Sequence, residues 1–274
     1  KKILKGKPNL YEKNIKSRLK NLLKKKKIII TKKLNKSFVS STYIVTVGTP
    51  LNQSKKCNFE MIKRVSNEIK KYLKYNDHII LRSTVKIGTT RNLVKKILDQ
   101  KKISYDISFC PERTIEGKAL EELRYLPQII SGDNKNAIIK SRNLFTKITN
   151  KVVNVSSLEA AEMIKLVDNM QRDVKFSISN EVALMCQNKN LDVNEIIRKG
   201  KKSYPRTNLF DPGPVGGPCL EKDTYILSTS FKKTNKPKIA LTARKLNESI
   251  PKNSVSVIKK YFYKKNKNIK NLNI

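Results

Sequence analysis

The sequence predicts an α/β unit built on a mostly parallel, doubly wound sheet, followed by an all-helical unit. Three observations carry this. Through the first half, short β-branched runs alternate with stretches of helical periodicity, the pattern of strands joined by crossover helices. After about residue 157 that pattern stops, and 158–187 holds no Gly or Pro while its apolar residues recur at helical spacing. The length, 274 residues, suffices for two domains of roughly 150 residues each.

Taken in order, Ile28-Ile29-Ile30 reads as a short strand. Tyr43-Ile44-Val45-Thr46-Val47 is a better one, closed by the turn Gly48-Thr49-Pro50. A helix is expected over 59–73, with Ile62, Val65, Ile69 and Leu73 on one face. The next strand is 78–81, ending at Ser83-Thr84, followed by a helix over 89–98. A strand over 105–109 ends at Cys110-Pro111. A strand at 128–130, a helix over 136–145 and a strand at 152–153 complete the first unit. The second unit opens with one long helix, 158–187, then a short helix over 193–198 and a Gly- and Pro-rich loop over 204–218. Two more helices are expected, over 238–249 and 253–263. There is no internal repeat.

Composition excludes several classes. No stretch approaches the ~20 apolar residues of a membrane helix, and no N-terminal segment has the order of a signal peptide, so no membrane partner is expected. The net charge of +38 invites a nucleic-acid reading. The detail points elsewhere: 49 of the 60 basic residues are Lys and only 11 are Arg, with 27 Asn and no Trp. Nucleic-acid readers lean on Arg forks and stacking aromatics. The lysines are spread along the whole chain, and the runs at 24–27 and 264–270 read as exposed helix ends or loops. No nucleic-acid partner is expected. Cys57, Cys110, Cys186 and Cys219 form no CxxC pair and have no finger spacing with the single His78, which gives no metal site and suggests free thiols in a reducing, cytoplasmic setting.

Open parallel sheets take ligands beyond the carboxyl ends of their strands. Three such ends carry chemistry: Gly48-Thr49-Pro50, where Gly48 allows close backbone approach; Ser83-Thr84, with the Thr84 hydroxyl; and Pro111-Glu112-Arg113, with the Glu112 carboxylate. Each taken singly is also what an ordinary turn carries. The nine glycines contain no G-x-G-x-x-G set. The sharpest local signal is Gly213-Pro214-Val215-Gly216-Gly217-Pro218-Cys219-Leu220-Glu221-Lys222-Asp223, a Gly-rich loop that delivers a Cys to a helix start. A thiol there is favoured as a thiolate by the helix dipole, Lys222 can assist, and Asp223 is one turn on. On the long helix, Glu162, Lys165, Asn169 and Arg172 share a face. Solvated, that is a polar stripe; facing the Cys loop, Lys165 and Asn169 could stabilise an oxyanion or hold a water.

Together these motifs resemble those of the nucleotide-sugar 6-dehydrogenases, the family of UDP-glucose, GDP-mannose and UDP-N-acetylmannosamine dehydrogenases. Gly6-Lys7-Pro8 with Glu12 looks like the early G-x-P…E segment, Val47-Gly48-Thr49-Pro50 like the V-x-T-P turn, and Ser83-Thr84-Val85 like the S-T-V strand end. Cys110-Pro111-Glu112-Arg113 looks like the P-E segment. Lys165-x-x-x-Asn169 and Asn180-Glu181 look like the central helix, and Gly216-Gly217-Pro218-Cys219-Leu220-Glu221-Lys222-Asp223 like the nucleophile loop. The likeness runs from about residue 6 to about 250.

The resemblance implies a truncated Rossmann-like, doubly wound parallel sheet for NAD over 1–156, an all-helical central dimerisation domain carrying the Cys loop over 157–264, and the start of a UDP-binding domain over 265–274. It implies oxidation of a UDP-sugar C6 alcohol to the uronate in two NAD-dependent steps, with Cys219 holding the intermediate. Lys165 would stabilise the alkoxide and oxyanion, Asp223, Asn169 and Thr84 would position the water, and Glu112 would act as base. Gly48, Thr49, Pro50, Thr84 and Lys222 would meet the cofactor. Glu112, Arg113, Glu116, Lys165, Asn169, Arg206 and Gly216 would meet the sugar nucleotide. Arg206 resembles an arginine that reaches into a neighbouring subunit, and the long helix resembles a dimer interface, so a homodimer is expected.

Arg113, where UDP-glucose enzymes usually carry an aromatic, and the segments Gln171-Arg172-Asp173-Val174 and Tyr204-Pro205-Arg206-Thr207-Asn208 look like the N-acetylhexosamine branch, which favours UDP-N-acetyl-D-mannosamine. Glu116 is retained as in the UDP-glucose enzymes, the alternative. The chain starts on Lys1 and stops at Asn273-Ile274 as an apolar segment begins. The expectation is a fragment at both ends, with the Gly-rich phosphate loop upstream, that by itself binds neither NAD nor UDP well. A relic that binds a nucleotide sugar without turnover is the competing reading.

Overall fold

The computed structural model describes residues 3–8, 12–36 and 40–265. All but the first residue of the expected start of a UDP-binding domain over 265–274, and most of the lysine run at 264–270, lie outside them. The chain forms two compact units, residues 1–50 with 57–165 and residues 51–56 with 166–274.

The first unit is organised by five strands, β1 (Thr42–Val45), β2 (His78–Leu81), β3 (Asp106–Phe109), β4 (Gln128–Gly132) and β5 (Val152–Asn154), side by side in that order. The period of two in β2 sorts its side chains to opposite faces. Ile79 and Leu81 join one cluster with Ile62, Ile69 and Leu73 of α2 (Glu60–Tyr72) and its neighbours, whereas Ile80 joins a second cluster with Ile130 and with Phe145 of α5 (Lys135–Phe145). Helices therefore cover both faces of the sheet, and β2 and β3 are buried throughout. That is why they read as continuous apolar runs. The helix expected over 89–98 is a π-helical turn, Thr90–Lys95, that runs into α3 (Lys96–Asp99).

Three strand pairings are parallel, but β4 runs antiparallel to β3. The 110–127 connection brings the chain back at the end of β3 where it left: Gln128 at the start of β4 donates to the carbonyl of Pro111 at 3.3 Å. A strand that re-enters at that end must run backwards. That connection contains α4 (Ala119–Tyr125), which the sequence reading passed over, as it did α1 (Ile15–Lys24). The strand expected at Ile28-Ile29-Ile30 does not form; Ile28 and Ile29 are exposed and the segment pairs with no strand among the described residues. β-branched residues favour a strand only where a pleated, half-buried surface receives them.

In the second unit the long helix expected after 157 is α6 (Leu158–Lys189), whose first turns belong to the first unit. It is followed by α7 (Val193–Lys201), α8 (Gly217–Ser228) and α9 (Lys238–Lys264). Instead of two helices, α9 is continuous through Pro251. Proline forfeits one i→i−4 bond, and the turn before it is held by buried Asn247 and Ile250. The 51–56 loop is fastened to this unit by Lys55, whose ammonium lies 2.6 Å from the Tyr225 hydroxyl and 2.9 Å from the Glu248 carboxylate.

Candidate active site

The Gly-rich loop behaves as its sequence suggests. Gly217 has φ +88°, a conformation that favours glycine, and Pro218 occupies the first turn of α8, where a missing N–H costs nothing. Cys219 stands next and is exposed. One turn on, Asp223 shares its side of the helix and is fully buried. The Asp223 carboxylate accepts from the Asn169 amide at 2.5 Å through one oxygen and from the Lys222 ammonium at 2.6 Å through the other. Lys222 is thus spent on Asp223. Lys165, one turn before Asn169 on α6, is buried at 9% exposure. Gly216 is exposed at the helix start, and Arg206 is exposed with its guanidinium 5.8 Å above the Tyr204 ring.

The first unit assembles a different group at the carboxyl ends of β1 and β2. Thr49 is buried and its hydroxyl donates to the Thr84 carbonyl at 2.6 Å, tying the two turns together. Gly48 and Pro50 are exposed, with open space where a Gly48 side chain would stand. The Ser83 hydroxyl is buried without a hydrogen-bond partner. An open backbone turn and an orphaned hydroxyl at this edge fit the side of a sheet that receives a dinucleotide. The phosphate-cradling G-x-G-x-x-G is not in the sequence.

Glu112 follows β3. One oxygen takes the Arg82 guanidinium at 2.5 Å, and the other accepts the backbone N–H groups of Arg113 and Thr114 at 2.8 and 3.0 Å. Burial pushes the Glu112 carboxyl up, but Arg82 and Thr114 outweigh it and hold it below the usual range. Arg82 also donates to Gln128, which fixes it from behind. The loop that carries Glu112, half-buried Arg113 and exposed Glu116 is pinned at its far end by Glu12, which accepts from Gly117 and Ala119 at 2.7 and 3.1 Å.

Sequence reasoning named Glu162 and Asp173 but missed their burial and their partners. Glu162 accepts from the backbone of Gly88 and from both backbone and hydroxyl of Thr90. Burial pushes its carboxyl up to about 7. Asp173, grouped above with a sugar-specifying segment, is 1% exposed and bound to Arg244, Asn247 and Thr224. Its spacing of four from Asn169, along the same helix face, was the available signal. Arg82, immediately before Ser83-Thr84, was the signal for Glu112. No cluster of three or more metal-ligating side chains occurs among the described residues, and no helix there is long and apolar enough to cross a membrane.

The architecture is that of a Rossmann-like α/β domain followed by a helical domain carrying an exposed Cys at a helix start. Residues 1–149 match the NAD binding domain of the UDP-glucose/GDP-mannose dehydrogenase family, and residues 159–249 match its central domain. The chain belongs to that family. A UDP-N-acetyl-D-mannosamine dehydrogenase of Methanocaldococcus jannaschii is 35% identical over 230 residues, covering 82% of this chain and 52% of the relative. The solved UDP-D-ManNAc dehydrogenase from Pyrococcus horikoshii superposes with a TM-score of 0.90 at 27% identity, covering 97% of this chain and 64% of that one. The UDP-N-acetyl-mannosamine dehydrogenase from Staphylococcus aureus gives 0.81 at 27% identity, covering 94% and 61%. The chain spans about half the length of the curated relatives it matches.

Proposed function

We propose that the protein oxidises the C6 alcohol of a UDP-sugar to the uronate, with NAD as acceptor and UDP-N-acetyl-D-mannosamine as the best-fitting substrate. The observation that carries this is the cluster in the second unit: an exposed Cys219 at the start of α8, one turn from an Asp223 held between Asn169 and Lys222. NAD, held at the Gly48-Thr49-Pro50 turn, would supply the hydride acceptor for the oxidation of the alcohol and, as a second molecule, for that of the captured aldehyde. Between those steps the Cys219 sulfur adds to the aldehyde carbon, giving a thiohemiacetal; after the second oxidation the same sulfur holds a thioester. Water adds to the thioester carbon, the C–S bond breaks, and Cys219 returns as the carboxylate leaves.

The chain's own residues divide this work. Lys165 is the cation for the alkoxide and the oxyanion. Asp223 and Asn169, with Thr84, position the water, and Glu112, kept ionised by Arg82, accepts its proton. Gly48, Thr49 and Pro50 are assigned to the cofactor by resemblance, as are Thr84 and Lys222. Glu112, Arg113, Glu116, Lys165, Asn169 and Gly216 are assigned to the substrate, with Arg206 reaching the sugar site of a second copy in a homodimer formed through α6. The named relatives and the Tyr204-Pro205-Arg206-Thr207-Asn208 segment support the N-acetylated sugar. Buried Asp173 does not contribute to that choice.

The test is NADH formation by the full-length protein with UDP-N-acetyl-D-mannosamine and UDP-glucose compared, for wild type and Cys219→Ser. The acetylated sugar is expected to be preferred, and the variant to lose release of the acid by two or more orders of magnitude. A Cys219→Ser protein that still makes uronate at the wild-type rate would remove Cys219 as the nucleophile.

A further inference from the structure

Arg244 is not among the residues assigned above, yet it is the largest fully buried side chain of the described residues. It projects from α9, and its guanidinium faces three ways. Nη1 donates to the Asp173 carboxylate at 2.9 Å and to the Leu220 carbonyl at 3.2 Å; Nη2 donates to the Val215 carbonyl at 2.9 Å. Val215 lies four residues before Cys219 and Leu220 directly after it. One side chain therefore holds the backbone on both flanks of the thiol. Asp173, its anchor on α6, is held in turn by the Asn247 amide at 2.8 Å and the Thr224 hydroxyl at 3.1 Å.

We propose that Arg244 is the positioning residue for Cys219: anchored on Asp173, it clamps the loop before the thiol and the helix turn after it into one geometry. This rests on the reading of Cys219 as nucleophile. A buried ion pair is weak evidence for stability, because an apolar pair of similar volume often serves as well. What an apolar pair cannot supply is simultaneous bonding to a carboxylate and two carbonyls. Lysine cannot supply it either: its single ammonium on a flexible stem lacks the planar fork. Further back in the loop the Asn180 side chain accepts from the Gly213 N–H at 2.8 Å and donates to Asn247 at 2.8 Å, so it joins the same network.

The test uses Arg244→Lys and Asp173→Asn, with backbone hydrogen exchange and steady-state kinetics on the full-length protein. In Arg244→Lys, exchange of residues 215–220 is expected to quicken about tenfold or more while α6 keeps its wild-type protection. The turnover number is expected to fall on the order of 100-fold, the loss typical of an ångström-scale misplacement, with KM for NAD and for the UDP-sugar within about twofold. In Asp173→Asn, which weakens the anchor while leaving Arg244 in place, the same amides are expected to quicken. Unchanged exchange at 215–220 in folded Arg244→Lys overturns the proposal. So does equal quickening throughout α6 and α9, or a folded Asp173→Asn protein in which 215–220 keeps its wild-type exchange. The last arm keeps the proposal falsifiable should Arg244→Lys fail to fold. If no variant, nor the wild type, oxidises a UDP-sugar while the exchange pattern appears as stated, the dehydrogenase reading fails and the clamp stands.

Discussion

Glu162→Gln should invert its effect on stability between mildly acidic and mildly alkaline pH. Glu162 has no exposed surface. Burial raises its carboxyl from 4.5 to about 7, against the opposing pull of three donors from Gly88 and Thr90. In the unfolded chain the group ionises near 4.5. Between those two values the folded state holds a proton that the unfolded state has released, so stability falls as pH rises through the window. At about 1.4 kcal/mol per pH unit the loss is about 3 kcal/mol. Glutamine keeps the volume and can still accept from Thr90, but its NH2 cannot accept from the Gly88 N–H. That costs about 1 kcal/mol at any pH. The variant should therefore be the less stable protein near pH 4, by about 1 kcal/mol, and the more stable near pH 8, by about 2 kcal/mol. Urea unfolding of both proteins at the two pH values measures this, and other titrating groups cancel in the difference. A difference that is the same at both pH values, or that moves the other way, would refute the reasoning.

His78 should show the opposite slope. Burial lowers its imidazole to about 4, with Lys140 adding to the effect and Asp106 opposing it. Stability from this group rises with pH between about 4 and 6.5 and is lost as pH falls through that window. A His78→Gln variant, compared with wild type by the same unfolding measurement, should lose about 3 kcal/mol of pH dependence of that sign. Because the two windows overlap with opposite signs, the two groups offset each other in wild type, and the variant-minus-wild-type differences report each one separately. In the catalytic reading, Arg82→Met removes the cation that holds Glu112 below its usual range. The acid limb of the kcat/KM profile should then move to higher pH while the alkaline limb stays. An unmoved acid limb would show that Glu112 is not the base.

The sheet and the long helix were legible because their signals are local. The runs at 78–81 and 105–109 are apolar because both faces are covered, and 158–187 lacks any residue that stops a helix. What was not legible depends on partners remote in sequence. Three isoleucines at 28–30 carry strand propensity but meet no pleated surface. Pro251 is an ordinary breaker by sequence, yet the turn before it is held by Asn247 against Asp173, 74 residues away. The direction of β4 is set by where the 110–127 connection returns, which no residue in β4 announces. The candidate site divides the same way. Cys219, Asp223 and Asn169 stand out by type and spacing, whereas the importance of Arg82, Arg244 and Glu162 is visible only once Glu112, Val215 and Gly88 are beside them.

The polar face of α6 shows why spacing alone undersold this helix. Glu162, Lys165, Asn169, Asp173 and Asn180 follow one another at three-, four- and seven-residue steps, the geometry of one stripe. On a solvated helix such a stripe asks for no explanation. Here each of the five is 9% exposed or less, and an unpaired buried polar group costs about 1–3 kcal/mol. The molecule meets that cost with specific partners. Glu162 bonds Gly88 and Thr90 in the first unit; Asn169 bonds Asp223, Asp173 bonds Arg244, and Asn180 bonds Gly213 in the second. Three of those five partners, Asp223, Arg244 and Gly213, lie on the Cys219 loop and helix or hold its backbone. A core built only for stability would place apolar residues on this stripe. The hydrogen bonds instead fix the direction and register of the segment on which the proposed nucleophile stands, a return that leucines in the same positions could not give.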